Sequence, residues 1–422
     1  MKQLLRKLKK DSYILFSKYF TFWANRVYKR WSPLTIAVTG SVGKTTMLHI
    51  LEQQFGSSAH LSHNANSIYG IAFDLLDESG VRGSRLRWFK LILVAPFKSL
   101  TVRRQEKFYI VEIDADRPKE ADVVAAWLKP HITMWTSLSE SHASNFEATA
   151  AERRISTLEL IAREFAMVAR HTSELVLVDG TDSLMVESAQ NVNSNVEQVT
   201  PKTTGYKVTA TSSEFKGQNG TFTFADPQPK EIALQLGFVE HLLAKVNMPV
   251  VYNLSNMRVL PGRSTALKGR DGLRIIDSSY NAHMQSMGSI IGMFADIKAK
   301  NKWLVIGDII EQGSKEADLH ASIASLIELS KPHKVVLVGR RTQEHTYPAL
   351  KKSGKVPVES FAQPLEALKY LQSNLVGKEV VLFKGSQYLE GIIQHLLADD
   401  SDAQKLCRRG AAAQKARRAR GL

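Results

Sequence analysis

The chain has 422 residues, 44% hydrophobic and 23% charged, which suits two or three soluble globular domains, each able to bury a core. A single cysteine, Cys407, excludes a disulfide framework and a cysteine-rich zinc site and points to a reducing compartment, the cytoplasm. The net charge of +15 resides entirely at the ends: residues 1–30 carry nine Lys or Arg against Asp11, residues 405–420 carry seven against none, and no specific nucleic acid is expected for the neutral body between them.

No signal-peptide pattern opens the chain, and no stretch reaches the roughly 18 uncharged apolar residues of a membrane span. The longest candidate, WFKLILVAPF (88–97), is too short and carries Lys90. Residues 1–33 read as a basic amphipathic helix. Phe16, Phe20, Trp23, Val27 and Trp31 recur at helical spacing, Leu15 and Tyr19 widen the stripe, and Lys18, Arg26, Lys29 and Arg30 lie largely off it. Two readings stay open: peripheral contact of residues 1–31 with the inner face of an anionic membrane, or docking of the stripe on the protein's own body.

LTIAVT (34–39) suits a buried parallel strand and MLHILEQQF (47–55) the helix after it. Between them lies Gly40-Ser41-Val42-Gly43-Lys44-Thr45-Thr46. A glycine turn between strand and helix aims backbone N–H groups and the positive helix end at an anion. Lys44 adds a mobile charge for outer phosphates, and the Thr45 hydroxyl suits Mg²⁺. The first glycine departs from the generic G-x-x-x-x-G-K-T spacing, which would place it at Val38. The loop is read as a nucleotide site.

KFYIVEIDADRP (107–118) is a second apolar strand ending in Glu112, Asp114 and Asp116, and HITMWTSLSESHASNF (131–146) a third, followed by a turn carrying His142. Ligands of parallel α/β sheets sit beyond the carboxyl ends of strands, so Glu112 and His142 stand where a nucleotide and its metal would be served. Near residue 260 a Pro-Gly turn opens a new alternation. KWLVIGD (302–308), KVVLVG (334–339) and EVVLFKGS (379–386) are apolar runs separated by helix-length stretches, a second doubly wound unit. The segments are thus 1–33, a central nucleotide-binding domain at 34–258, a Rossmann-like α/β domain at 259–404, and a basic tail at 405–422 read as a solvated, frayed helix.

Eight motifs in order give the chain a family likeness: TGSVGKTT, NANSIYGIAFDLL (64–76), VEIDADRP, TSLSESH, LPGR, DSSYNAHMQSM, GDIIEQG with His320 downstream, and FKGS. The chain resembles the Mur ligase family over roughly residues 34–390, with a weaker patch at 185–255, and DSSYNAHMQSM is nearest to the MurF type. The resemblance implies a P-loop ATPase domain with a parallel sheet, followed by a Rossmann-like domain. It also implies an ATP- and Mg²⁺-dependent ligase of peptidoglycan precursor synthesis, in which a carboxylate is phosphorylated and an amine displaces the phosphate. D-alanyl-D-alanine or a related amine would be added to a muramoyl-peptide carboxylate. Lys44 would hold the β- and γ-phosphates, Thr45 the first Mg²⁺, and Glu112 with His142 a second metal. Arg263 would reach the phosphates from the domain junction. Asp277 matches the ribose-side acid, with Tyr280 and Asn281 near the base. Asp308 and the Lys384–Ser386 turn would meet the amine.

The departures from the family are specific. Only about 33 residues precede the ATPase strand, where MurF-type enzymes carry a uridine-nucleotide-binding domain. Thr157 stands where many members have a carbamylated lysine, and QLGFVEHLLAKVNMPV replaces the HNxxN segment of the adenine pocket. Ser137 replaces an asparagine, Ser278 an aspartate and Met284 a proline. They leave open a different or lipid-linked acceptor, and an ATP-binding scaffold or regulator.

Overall fold

The computed structural model describes residues 2–63, 65–80, 85–115, 117–140, 143–257, 260–280, 282–310, 316–386 and 388–422, with only the backbone of residues 2–15 and Arg85. His142, Asn281 and Asp116, and the side chain of Leu15, lie outside the described residues. Two compact units result: residues 1–201 with 234–250, and residues 202–233 with 251–422.

In the first unit, β1 (Leu34–Thr39), β2 (Ala59–Leu61), β3 (Phe108–Glu112), β4 (Ile132–Trp135), β5 (Leu175–Asp179) and β6 (Val196–Val199) form a wholly parallel sheet. Their order is β2-β3-β1-β4-β5-β6. β3 and β4 are buried throughout and mostly apolar, because helices cover both faces of a parallel sheet. Strand order reverses at β1, which lies between β3 and β4, so the crevice at their carboxyl ends is a topological switch point.

The first helix, α1 (Lys2–Trp31), decides one question left open by the sequence. Phe20, Ala24 and Val27 are almost fully buried, in one core with Phe73 of α3 (Ile68–Leu75) and Leu91 of α4 (Arg85–Thr101); α2 is Lys44–Phe55. Phe20 meets Phe73 edge-on at 4.9 Å between ring centroids. Polar tips find backbone acceptors along the seam: Tyr19 Oη donates to Ile92 O at 2.6 Å and Trp31 Nε1 to Glu106 O at 2.6 Å. From Phe20 onward the stripe is spent on the protein's own core, while Phe16 at its head is partly exposed. Helices α5 (Glu120–Leu128), α6 (Glu147–Arg153), α7 (Thr157–Arg170), α8 (Ser183–Gln190) and α9 (Ile232–Lys245) complete the unit.

The second unit opens with an antiparallel meander that the sequence reading did not resolve: β7 (Gly205–Val208), β8 (Ser213–Lys216) and β9 (Thr221–Phe224). Burial alternates along β8 and β9, the pattern of a sheet wetted on one face. β10 (Thr265–Lys268), β11 (Arg274–Ser278), β12 (Lys302–Gly307), β13 (Lys334–Val338), β14 (Val358–Phe361) and β15 (Val380–Lys384) form the larger sheet, in the order β10-β11-β15-β12-β13-β14. Only β10 runs antiparallel there. Its helices are α10 (Met284–Asp296), α11 (Glu316–Ser330), α12 (Tyr347–Ser353), α13 (Pro364–Asn374), α14 (Leu389–Leu396) and α15 (Ala411–Arg418). The carboxy-terminal residues form the expected, largely exposed helix, but it is tied to the body of the unit. Arg417 is buried and donates to Gln394 Oε1 of α14 at 3.1 Å, and Arg420 stacks 3.8 Å over the Tyr388 ring. No described helix is long and apolar enough to cross a membrane.

Candidate active site

The loop Gly40–Gly43 leaves β1 and enters α2 through two left-handed glycines, with φ of +131° at Gly40 and +85° at Gly43. Gly40 also needs the missing side chain, since a Cβ there would lie 2.7 Å from Thr136 Oγ1 and 2.9 Å from the Ser137 backbone, whereas one on Gly43 would meet only the movable end of Gln235, at 2.4 Å. The turn after β4 holds the loop's outer half. Ser41 N donates to Ser137 O at 3.1 Å, Val42 N to Ser137 Oγ at 2.8 Å, and Thr136 Oγ1 to Val42 O at 3.0 Å. Ser137 therefore takes the amides of Ser41 and Val42. The anion-facing donors are left to the first turn of α2, Lys44 to Thr46, whose N–H groups have no acceptor within the helix.

Lys44 is 8% exposed; its ammonium folds back onto Gly40 O and pairs with Asp114 Oδ1 at 3.2 Å. Asp114 is held in turn by Asn66 Nδ2, which donates to Oδ2 at 3.1 Å, and by Ala115 N at 3.0 Å to Oδ1. Thr45 Oγ1 lies 3.4 Å from Glu112 Oε2, so a hydroxyl and a carboxylate converge at the carboxyl end of β3. These are the hard oxygen donors that Mg²⁺ takes. Glu112 is 9% exposed, and its backbone N–H donates to Ser62 Oγ at 3.2 Å. The residues fit a nucleotide phosphate and its cation: a glycine cradle, a helix amino terminus, a retractable lysine and paired oxygen donors.

Gln235, from the α9 segment that replaces HNxxN, was not singled out by sequence reasoning. Its Nε2 abuts Gly43, and its Oε1 is buried without a hydrogen-bond partner. Asn66 and Asp114 lay in recognised motifs, but only the fold reveals that they carry Lys44. Thr157, at the place of the family's lysine, is the first residue of α7 behind a Ser156 N-cap that accepts from Glu159 N at 3.1 Å.

In the second unit a polar cluster forms at the ends of β11 and β15, where Asp277 pairs in register with Phe383 and Ser278 with Lys384. Asp277 is fully buried. Oδ1 accepts from Ser279 N at 2.9 Å, while Oδ2 has no partner. Burial lifts its carboxyl to about 6. Burial, then the nearby Arg263 guanidinium, presses Lys384 down to about 7 against the opposing pull of Asp277. Arg263 lies 4.8 Å over the Tyr280 ring, and its Nε is buried without a partner. Arg408, counted with the tail by the sequence, donates to Ser279 O at 3.0 Å and to Tyr280 O, and lies 3.5 Å from the buried Glu390 carboxylate. A cation, a carboxylate oxygen and an exposed aromatic face thus gather in one unit, a donor set suited to a nucleotide.

Two other residues have structural duties. Asp308 accepts from Thr342 N at 2.9 Å and pairs with Arg341 at 3.7 Å. His320 is fully buried, with Nε2 against the Ile309 backbone.

Residues 38–257 match the Mur ligase middle domain, and residues 262–387 match the Mur ligase, glutamate ligase domain. The chain belongs to the Mur ligase family. A UDP-N-acetylmuramoyl-tripeptide–D-alanyl-D-alanine ligase of Escherichia coli K12 is 21% identical over 393 residues, spanning 90% of this chain and 78% of the relative. The MurF ligase of Thermotoga maritima, solved in complex with ADP, superposes with a TM-score of 0.69 at 18% identity, over 88% of this chain and 80% of that one. A MurF of Acinetobacter baumannii gives 0.68 at 18% identity, over 90% and 80%. These likenesses establish the Mur ligase fold, a parallel P-loop sheet followed by a mixed Rossmann-like sheet, as the sequence led one to expect.

Proposed function

We propose that this Mur ligase is an ATP-dependent carbon–nitrogen ligase of peptidoglycan precursor synthesis, working in the cytoplasm. It joins D-alanyl-D-alanine, or a related amino acid or dipeptide, to the carboxylate of a muramoyl peptide. ATP supplies the phosphoryl group that activates the carboxylate, and the amine then displaces phosphate. Lys44 exchanges Asp114 for the outer phosphates, keeping its charge compensated at every stage. The α2 amino terminus holds the phosphate chain, and Gly40, Ser41, Val42 and Gly43 shape the cradle around it. Thr45 would hold the first Mg²⁺, Glu112 with His142 a second metal, and Thr46 closes the first turn. Arg263, Asp277, Tyr280 and Asn281 serve the nucleotide from the carboxy-terminal domain, and electrostatic placement of these groups carries the chemistry. On this reading residues 34–258 make the nucleotide half and residues 259–404 the amine half.

The observation that carries the proposal is the convergence of Lys44, Thr45, Glu112 and Asp114 at the switch point of the sheet. The test is Mg²⁺-dependent phosphate release with uridine-linked muramoyl tripeptide and D-alanyl-D-alanine. Release that needs both substrates and falls at least about 100-fold in Lys44→Ala is expected. Unchanged turnover in that variant refutes the site. A second reading, a lipid-linked acceptor, is favoured by the exposed apolar face of α4. It predicts release with a lipid-linked substrate and none with the uridine-linked one.

A further inference from the structure

Helix α4 presents two opposite faces. Leu91, Ala95 and Ser99 are buried, with Trp88 and Ile92 half-buried beside them. Opposite them, Leu86, Phe89, Leu93, Phe97 and Leu100 are 83%, 65%, 63%, 65% and 57% exposed. At 100° per residue these five fall within an arc of about 80°, a continuous apolar stripe. They make up five of the twelve large hydrophobic side chains found exposed among the described residues. Such clustering marks a contact surface, whereas scattered exposure needs no explanation.

The charges say what the stripe contacts. α4 has four basic residues, Arg85, Arg87, Lys90 and Lys98, and no acidic one; Lys98 is taken up by Asp77 at 3.6 Å and Glu78 at 3.8 Å. Lys90 is exposed at the rim of the stripe, and Arg103 and Lys107 are exposed just beyond the helix. α1 packs alongside in the same direction, with Phe16 against Trp88, Tyr19 against Ile92 and Arg30 against Ser99. It continues toward its amino terminus through residues 2–10, which hold five Lys or Arg and no acid. A second copy meeting this face about a two-fold axis would bring the two basic rims together, which disfavours a homodimer.

We propose that the α4 face docks on an anionic lipid bilayer, the five apolar side chains entering the interface and the exposed Lys90, Arg103 and Lys107 meeting the headgroups. This attachment uses none of the catalytic residues and stands whichever acceptor the enzyme takes. It assigns to α4 the lipid contact that the sequence offered to the α1 stripe.

The test is flotation of the full chain with phosphatidylcholine vesicles containing 30% phosphatidylglycerol, alongside pure phosphatidylcholine vesicles. Binding to the anionic vesicles that weakens as salt rises is expected, with little binding to the neutral ones. Leu93→Glu/Phe97→Glu should lower the anionic binding constant about tenfold or more while melting temperature and phosphate release stay as in the parent. Both substituted side chains are exposed, so the folded state is preserved; Phe89→Ser, a milder change, gives a graded loss. Failure of the parent to float, or equal flotation of the double variant, overturns the proposal. So does a dimer in light scattering that the double variant dissolves, because the face would then join two copies of this chain.

Discussion

Replacing Lys384 by Met should make the carboxy-terminal unit more stable near neutral pH and remove a rise of stability with pH. Lys384 is fully buried on β15 and protonates at about 7 instead of the ordinary 10.5. Between those values the unfolded chain carries one proton more than the folded one, so unfolding free energy climbs by about 1.4 kcal/mol per pH unit. A group with a depressed folded value contributes stability that is complete above 10.5 and lost as pH falls toward 7. From pH 7 to pH 9 the gain amounts to about 2 kcal/mol. Above pH 9 the buried Cys407 thiol, held up to about 12, adds a slope of opposite sign. The comparison with Lys384→Met cancels that slope, since both proteins keep the thiol. Native-state hydrogen exchange of peptides covering β11 and β15 reads the effect locally, after correction for the intrinsic pH dependence of exchange. A variant that gains stability from pH 7 to pH 9 as steeply as the parent would refute the assignment, for the ammonium would then titrate in its ordinary range.

Phe20→Ala removes a fully buried ring from the seam of α1, α3 and α4 and should cost about 3–5 kcal/mol, read as an earlier urea midpoint. Gln235→Ala should raise KM for ATP about fivefold with kcat nearly unchanged, because Gln235 touches the loop and no reacting atom; an unaltered KM removes it from the nucleotide site. Asp308→Ala strands the Thr342 N–H and releases Arg341, lowering stability by about 1–3 kcal/mol in denaturant titrations.

The phosphate loop was legible because strand, glycine turn and helix follow one another within 22 residues, so its geometry is local. What completes it is not local. Asp114 reaches Lys44 from seventy positions away, and Ser137 takes the loop amides from the next strand, which makes the serine in place of the expected asparagine part of the cradle's wall. In the second unit LPGR and DSSYN were recognisable, but the fully buried state of Asp277 and Lys384 depends on adjacency of β11 and β15, strands about a hundred residues apart. The β7–β9 meander escaped because four-residue strands carry too little alternation to stand out from a loop.

Helical spacing found the apolar stripe of α1 but could not say what covers it; Tyr28 shows how the answer lies in tertiary partners. Its hydroxyl lies 2.6 Å from Thr35 Oγ1 and donates to Leu128 O at 2.7 Å, bonds that fasten α1 to β1 and to the end of α5. The α4 stripe was hidden for the converse reason. WFKLILVAPF is apolar on nearly every side but for Lys90, much as a buried segment would be, and only the burial of Leu91 and Ala95 separates the face turned to the core from the face left exposed. Net neutrality over residues 31–404 likewise concealed a seventeen-residue helix without a single acid. Charge summed over a domain says little about a surface the size of one helix, because the potential at a contact is set by charges within about 10 Å of it. α4 itself carries only basic side chains, and the neighbouring acids Asp77 and Glu78 are engaged by Lys98 at 3.6 and 3.8 Å.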